Sequence, residues 1–394
     1  MNPSDLFGGL AMHDTMRFHY MDNLRALAML SGVVFHAALA YSPLLHPYFP
    51  TADRAQSPAL DWCIWFLHLF RMPLFFLVAG FFAAMLLRKR GMCGMFLNRM
   101  RRIALPLVIF CPLVLAAMSY STLHAAASVQ NPSPVLVMIK QFSLMANPPA
   151  LPPGTGHLWF LYYLLFFYVL IWAAKSLELG EVGNLVRGLN PAWQLALLPL
   201  LLVPALASVT APHPAPESLF PKFWAFGFYG PFFAFGYLLF GHEALIERFR
   251  RFASWLLLAS LGLYGVFWYL LKRHVPTAAE PSATLPIAAV EACVSVWMTC
   301  VCLVAGRSLL NRGNCLLRYL SDSSYWVYII HLPVLFVIQY RLMDMELWWG
   351  AKFAISVMAT FALCLLSYHA LVRKTVIGKL LGVRPPVAGA ATGG

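Results

Sequence analysis

Long apolar runs fill most of this chain, and polar residues are confined to short breaks between them. A helix needs roughly 17–25 apolar residues to cross about 30 Å of hydrocarbon. Runs of that length can be read at ten places, approximately 23–42, 61–87, 103–125, 157–175, 192–210, 223–241, 253–271, 285–305, 320–340 and 348–371. The pattern predicts an all-α integral membrane protein, a bundle of about ten transmembrane helices. The breaks are charged unevenly. With a cytoplasmic N-terminus, 19 Lys and Arg fall on one side, from Arg17 through the Arg88–Arg90 and Arg99–Arg102 clusters to Arg384, and 7 on the other. That positive-inside bias places both termini in the cytoplasm. Residues 1–22 read as a cytoplasmic N-terminal segment, 23–372 as the membrane domain, and 373–394 as a cytoplasmic, largely disordered tail of small residues. The loop from about 126 to 156, Pro-rich and nearly chargeless, reads as an extracytoplasmic cap.

Composition narrows the class. With 61% hydrophobic and 11% charged residues, the 394-residue chain is too apolar for a soluble domain. The net charge of +13 does not point to nucleic acid, because the basic residues sit in short clusters where topology explains them. The eight cysteines lie mostly inside apolar runs and form neither a disulfide framework nor a zinc spacing. Ala38-Leu39-Ala40 mimics a signal-peptidase site, but Arg25 and His36 are odd passengers for a discarded leader. No internal repeat suggests a two-half transporter.

Ionisable residues inside the apolar runs are the candidate chemistry, since each is expensive there and faces a partner or a polar pathway. Arg25 and His36 stand eleven positions apart. At about 100° and 1.5 Å per residue they share one helix stripe, separated by about 16 Å. Arg25 begins the run, with Asp22 three residues earlier as its partner. His36 lies deeper, where imidazole serves either as a general base or as a core histidine bonded to a carbonyl. His68 and Arg71 share a face in mid-run, and Pro73 frees a backbone carbonyl that a buried polar group must satisfy. An arginine far from any interface asks for an anion, either a ligand or a carboxylate such as Asp61 or Glu291. Arg99 and Arg102 present two guanidinium forks to one phosphate, or are a basic loop of the usual topological kind. His157 opens the fourth run beside Trp159, and His331 lies in mid-run with Pro333 two residues on. No carboxylate or Cys stands at a ligand-like spacing from these histidines, so no metal site is expected. Nucleotide loops, nucleophile elbows and paired-carboxylate sites are absent.

Taken together, Asp22-x-x-Arg25 with ten residues to His36, His68-x-x-Arg71-Met72, Arg99-x-x-Arg102, His157-Leu158-Trp159-Phe160-Leu161 and Tyr328-x-x-His331-x-Pro333 resemble the membrane acyltransferase-3 family. Within it they look closest to the glucan-biosynthesis branch, associated with succinylation of osmoregulated periplasmic glucans. The resemblance implies a multi-pass protein of the bacterial inner membrane. Its implied activity is transfer of an acyl group from cytoplasmic acyl-CoA, succinyl-CoA or acetyl-CoA, to hydroxyls of a periplasmic glucan or other glycan. The donor is a substrate, and no permanently bound cofactor is implied. Arg25, Arg99, Arg102 and Arg71 would bind the donor. His36 would act as base, with Asp22 and His331 in the catalytic set, and His68, His157 and Trp159 would serve the acceptor or support the site. Membrane lipid, and contact with other glucan-biosynthesis proteins, complete the implied partners. An O-acetyltransferase for another surface polysaccharide and an exporter of acylated glycan with a histidine proton relay remain rival readings. The enzyme reading carries one structural expectation, a continuous polar route from the inner coenzyme to the outer sugar that joins Arg25, Arg71 and His36.

Overall fold

A computed structural model describes residues 18–147, 153–176, 180–273 and 285–382. Among them every regular element is helical: α1 His19–Leu39, α2 Pro58–Arg99, α3 Leu105–Ser128, α4 Pro134–Ser143, α5 Trp159–Ser176, α6 Gly180–Gly188, α7 Pro191–Ala207, α8 Phe223–Leu239, α9 Ala244–Arg250, α10 Ala253–Arg273, α11 Leu285–Leu309, α12 Cys315–Met343, α13 Trp349–Ser367 and α14 Val376–Leu381. A π-helical turn, Met100–Ala104, joins α2 to α3, and a 3-10 turn, Gly156–Leu158, leads into α5. Arg17, Arg384 and most of the expected tail lie outside the described residues.

Each of the ten apolar runs falls on a helix, α1, α2, α3, α5, α7, α8, α10, α11, α12 or α13. Six helical stretches among the described residues are long and apolar enough to cross a membrane, counting the continuous Pro58–Ser128 as one. A seventh joins them if α8 and α9, bent by 116°, form a single span. α1 is outside this set because Asp22, Arg25 and His36 dilute its apolarity, and α7 because it is only 17 residues long. Starts are marked locally: Ser57, Ser133, Asn190 and Asn314 each accept a hydrogen bond from a first-turn amide, and proline follows the first three. The cap expected at 126–156 contains its own short helix, α4.

The core is aromatic, with Phe76, Phe81, Phe228, Tyr229 and Phe232 fully buried. α2 packs most extensively on α8, where a Cβ at Gly80 would strike the Phe233 carbonyl and one at Gly236 the Leu77 carbonyl. Small residues are what let two apolar helices approach this closely. Loops alternate between two ends. At one end, Ser133 donates to the Pro50 carbonyl (2.7 Å), Asp344 accepts from the Gln130 and Asn131 amides, and Thr155 N donates to the Glu217 carbonyl (2.7 Å). At the other, Arg307 bridges to Glu247 (3.1 Å), and Tyr325 donates to the Arg102 carbonyl (3.0 Å). The second end holds Arg25 and the first lies beyond His36, and they are called near and far below.

Candidate active site

Four helices each turn one stripe toward a common axis. On α1 the stripe is Arg25, Met29, Gly32 and His36, and on α2 it is Phe82, Ala79, Phe75, Arg71 and His68. α12 supplies Ser321, Tyr325, Tyr328 and His331, and α5 with its preceding turn supplies Tyr168, Leu164, Leu161 and His157. Spacings of three and four residues keep each set on one helix face. The α1, α2 and α5 stripes run from polar or aromatic groups at the near lip, through an apolar middle, to histidine or arginine at the far tier, and the α12 stripe reaches its histidine through two tyrosines.

The near half is open. A cavity of about 220 Å³ is lined by Arg25, Arg99, Arg102, Tyr168, Ser321, Asp322 and Tyr325 at its mouth, and by Met29, Phe75, Phe160 and Leu161 in its depth. Of the four arginines singled out as donor-binding, Arg25, Arg99 and Arg102, drawn from two stretches of the chain, therefore share one chamber, and Arg71 does not line it. Arg25 Nη2 lies 3.4 Å from Asp22 Oδ1 and donates to Ser321 Oγ (3.3 Å). The Arg99 guanidinium lies over the Tyr168 ring at 4.9 Å, and its Nε is buried without a hydrogen-bond partner. Arg102 is exposed and lies against Gly382.

The far tier is largely buried. Arg71 is 7% exposed; no carboxylate lies within ion-pair distance of it among the described residues, and its Nε has no hydrogen-bond partner. Its guanidinium covers the Phe35 ring at 4.5 Å and reaches Gly32, where a Cβ would stand 2.9 Å from Nη1. The carboxylates named as candidate partners for it are engaged elsewhere. Asp61 accepts from Ser42 and from Trp65 Nε1 (2.7 Å), and Glu291 holds His213 (2.7 Å). Arg71's charge lies within electrostatic reach of His36, His68 and His331. His36, half-buried, faces His331 with ring centroids 5.3 Å apart, and His331 faces His157 at 5.0 Å.

Prolines set these histidines. Pro333 has no N–H for the Ile329 carbonyl, and His157 Nε2–H donates to that carbonyl (3.2 Å) and to the Tyr328 carbonyl (3.1 Å). Tyr328 returns its hydroxyl to the His157 carbonyl (2.7 Å). His331 Nδ1–H donates to the Tyr328 carbonyl (2.8 Å), leaving Nε2 buried and unpartnered. Pro73 likewise frees the Leu69 carbonyl, and Ser295 of α11 donates to it (2.7 Å).

The polar route is interrupted: the cavity ends at Met29, Phe75, Phe160 and Leu161, one helical turn short of Arg71. Apolar side chains of the same stripes fill that gap, and a pattern of polar residues gives no sign of them. Asp22 stands fourteen residues before His36, about 21 Å along the axis at 1.5 Å per residue, and belongs with Arg25 rather than with the histidines. Trp159 lines no part of the cavity and packs in the aromatic core against Phe76 and Tyr229. The sequence reading also missed His213, 1% exposed, and its carboxylate partner role for Glu291. The available signals were a histidine between prolines, Pro212-His213-Pro214, and the lone carboxylate of the 285–305 run.

A buried histidine–arginine tier above an arginine-mouthed chamber defines a membrane acyltransferase once the family comparison is added. An acyltransferase-domain family profile matches residues 18–369, and the chain belongs to that family, acyltransferase-3. Curated relatives include the proteins named "Glucans biosynthesis protein C" of Salmonella typhi, Salmonella typhimurium and Salmonella schwarzengrund. Each is 25% identical to this chain over 335 residues, covering 81% of it and 82% of the relative. No solved structure matches the chain.

Proposed function

We propose that this protein moves an acyl group from cytoplasmic acyl-CoA to a hydroxyl of a periplasmic glucan, within the bacterial inner membrane and with both termini cytoplasmic. The observation that carries this reading is the convergence of four helix stripes, which sets three arginines around one chamber and His36 about 16 Å deeper on the same face as Arg25. Arg25, Arg99 and Arg102 take the donor's phosphates as charge-assisted hydrogen bonds. The donor's arm lies in the apolar depth of the chamber, and flexible Met29 yields to let the thioester reach the far tier. His36 removes the proton of the attacking hydroxyl. The hydroxyl oxygen bonds to the thioester carbon, the carbon–sulfur bond breaks, and the proton passes to the departing thiolate, so no net proton is consumed.

The acyl group is succinyl in this reading. A buried guanidinium without a carboxylate is an uncompensated charge, and the free carboxylate of a succinyl group supplies its counter-ion. The glucan acceptor follows the name borne by the Salmonella relatives.

Purified protein with labelled acyl-CoA and glucan tests the whole. Label reaching the glucan in the wild type and not in His36→Ala supports transfer, whereas no thioester consumption with any acceptor sinks it in favour of transport. Arg71→Ala should lose succinyl transfer more than acetyl transfer, and equal losses would remove succinyl from the reading.

A further inference from the structure

The far tier contains a group that transfer by His36 and Arg71 leaves unused. His68 Nε2–H donates to the His213 carbonyl (2.8 Å), so the neutral ring carries its proton on Nε2 and a bare lone pair on Nδ1. That Nδ1 is buried and has no partner, in a side chain 9% exposed. An orphaned acceptor in a low-dielectric site is costly unless a ligand donates to it. The ring cannot rotate away, being stacked on Phe35 (centroids 5.2 Å) and on His213 (4.5 Å). Phe35 is also the ring that Arg71 covers and the neighbour of His36.

The tautomer is held from a distance. Glu291 on α11, 1% exposed, accepts from both the backbone N–H (3.0 Å) and Nδ1–H (2.7 Å) of His213 through one oxygen, Oε1. This pins the loop between α7 and α8, and with it the carbonyl that accepts the hydrogen bond from His68 Nε2–H. A lone pair accepts from O–H and repels a carboxylate or a thioester oxygen, so the matching ligand group is an uncharged alcohol.

We propose that His68 docks the hydroxyl of the acyl acceptor through Nδ1, and that Glu291 and His213 are positioning residues that hold His68 in the Nε2–H tautomer. The proposal rests on the acyl-transfer reading for its ligand but not for its tautomer. His68→Phe keeps the ring stack and removes the acceptor nitrogen. It should raise the KM for glucan about tenfold while leaving binding of acyl-CoA unchanged. Nitrogen and carbon NMR of histidine-labelled protein in lipid, with His68 assigned by its loss in His68→Phe, should show the Nε2–H tautomer in the wild type. Glu291→Ala should give mixed tautomers and the same shift in glucan KM, and Glu291→Gln, which retains the accepting oxygen, should restore both. An unchanged glucan KM in His68→Phe, or an unchanged tautomer in folded Glu291→Ala, overturns the proposal. If the wild type transfers no acyl group while the tautomers behave as stated, the failure is that of the transfer reading.

Discussion

The near chamber and the far tier use positive charge in opposite ways. At the mouth, arginines are half-buried or exposed and spread over three elements, and Arg25 and Arg99 already touch a carboxylate, a hydroxyl or a ring. In the far tier a single guanidinium is buried among imidazoles, three of which, His68, His157 and His331, commit an N–H to a backbone carbonyl. A charge near water costs little and serves as an electrostatic mouth for anions. The same charge in low dielectric is expensive, and its retention there indicates a ligand group that completes it. Between the two lies an apolar waist, so entry and chemistry are separate physical problems on this chain.

The sharpest test removes the far tier alone. His36→Ala should lower the rate of acyl transfer by about 10²–10⁴-fold, the ordinary range for general base catalysis, with donor affinity unchanged in equilibrium binding. Comparable loss of donor binding would erase the distinction between the two regions. Gly32 tests the same tier without touching a titratable group. Its substitution by Leu forces the Arg71 guanidinium from its place, because even a Cβ would stand 2.9 Å from Nη1. Misplacement of about 1 Å at a reacting centre costs about 10²-fold, so Gly32→Leu should approach Arg71→Ala in a transfer assay.

The complementary test strips the mouth. Arg99→Ala and Arg102→Ala should each weaken donor binding about tenfold, since a hydrogen bond to a charged group contributes about 1.5–3 kcal/mol, and leave the rate at saturating donor near that of the wild type. Raising salt from low to physiological levels should erode wild-type affinity and spare the variants, because exposed charges are screened over about 8 Å. A fall in saturated rate with intact affinity would place these arginines in the chemistry instead.

What could be read from the sequence follows the range of the interactions. Arg25 and His36, and His68 and Arg71, are each related by helical periodicity within one helix, whereas Arg99 and Arg102, read as part of a loop, straddle the end of α2 and the π-helical turn that follows it. Pro73 announced an orphaned carbonyl but not Ser295, which satisfies it from another helix. Glu291 and His213 are 78 residues apart and meet only after a loop folds over the far end, so no local pattern relates them. Gly32 has meaning only once α2 lies against α1, and the waist residues Met29, Phe75 and Phe160 look like any other core positions until the cavity ends on them.

Asp22 gives the smallest predicted effect and the finest division between the regions. Its motif, Asp22-x-x-Arg25 leading to His36, invites a catalytic role, as in any carboxylate that orients a histidine. The geometry instead pairs it with a guanidinium 38% exposed at 3.4 Å, at the opposite end of α1 from the base. Exposed ion pairs contribute about 0.2–1 kcal/mol, so Asp22→Asn should change donor KM by no more than about fivefold and leave the saturated rate intact. Loss of the saturated rate on the scale of His36→Ala would mean that Asp22 reaches the histidine tier during turnover. The two regions would then be joined in the working enzyme by a movement of α1 rather than by the donor's arm alone.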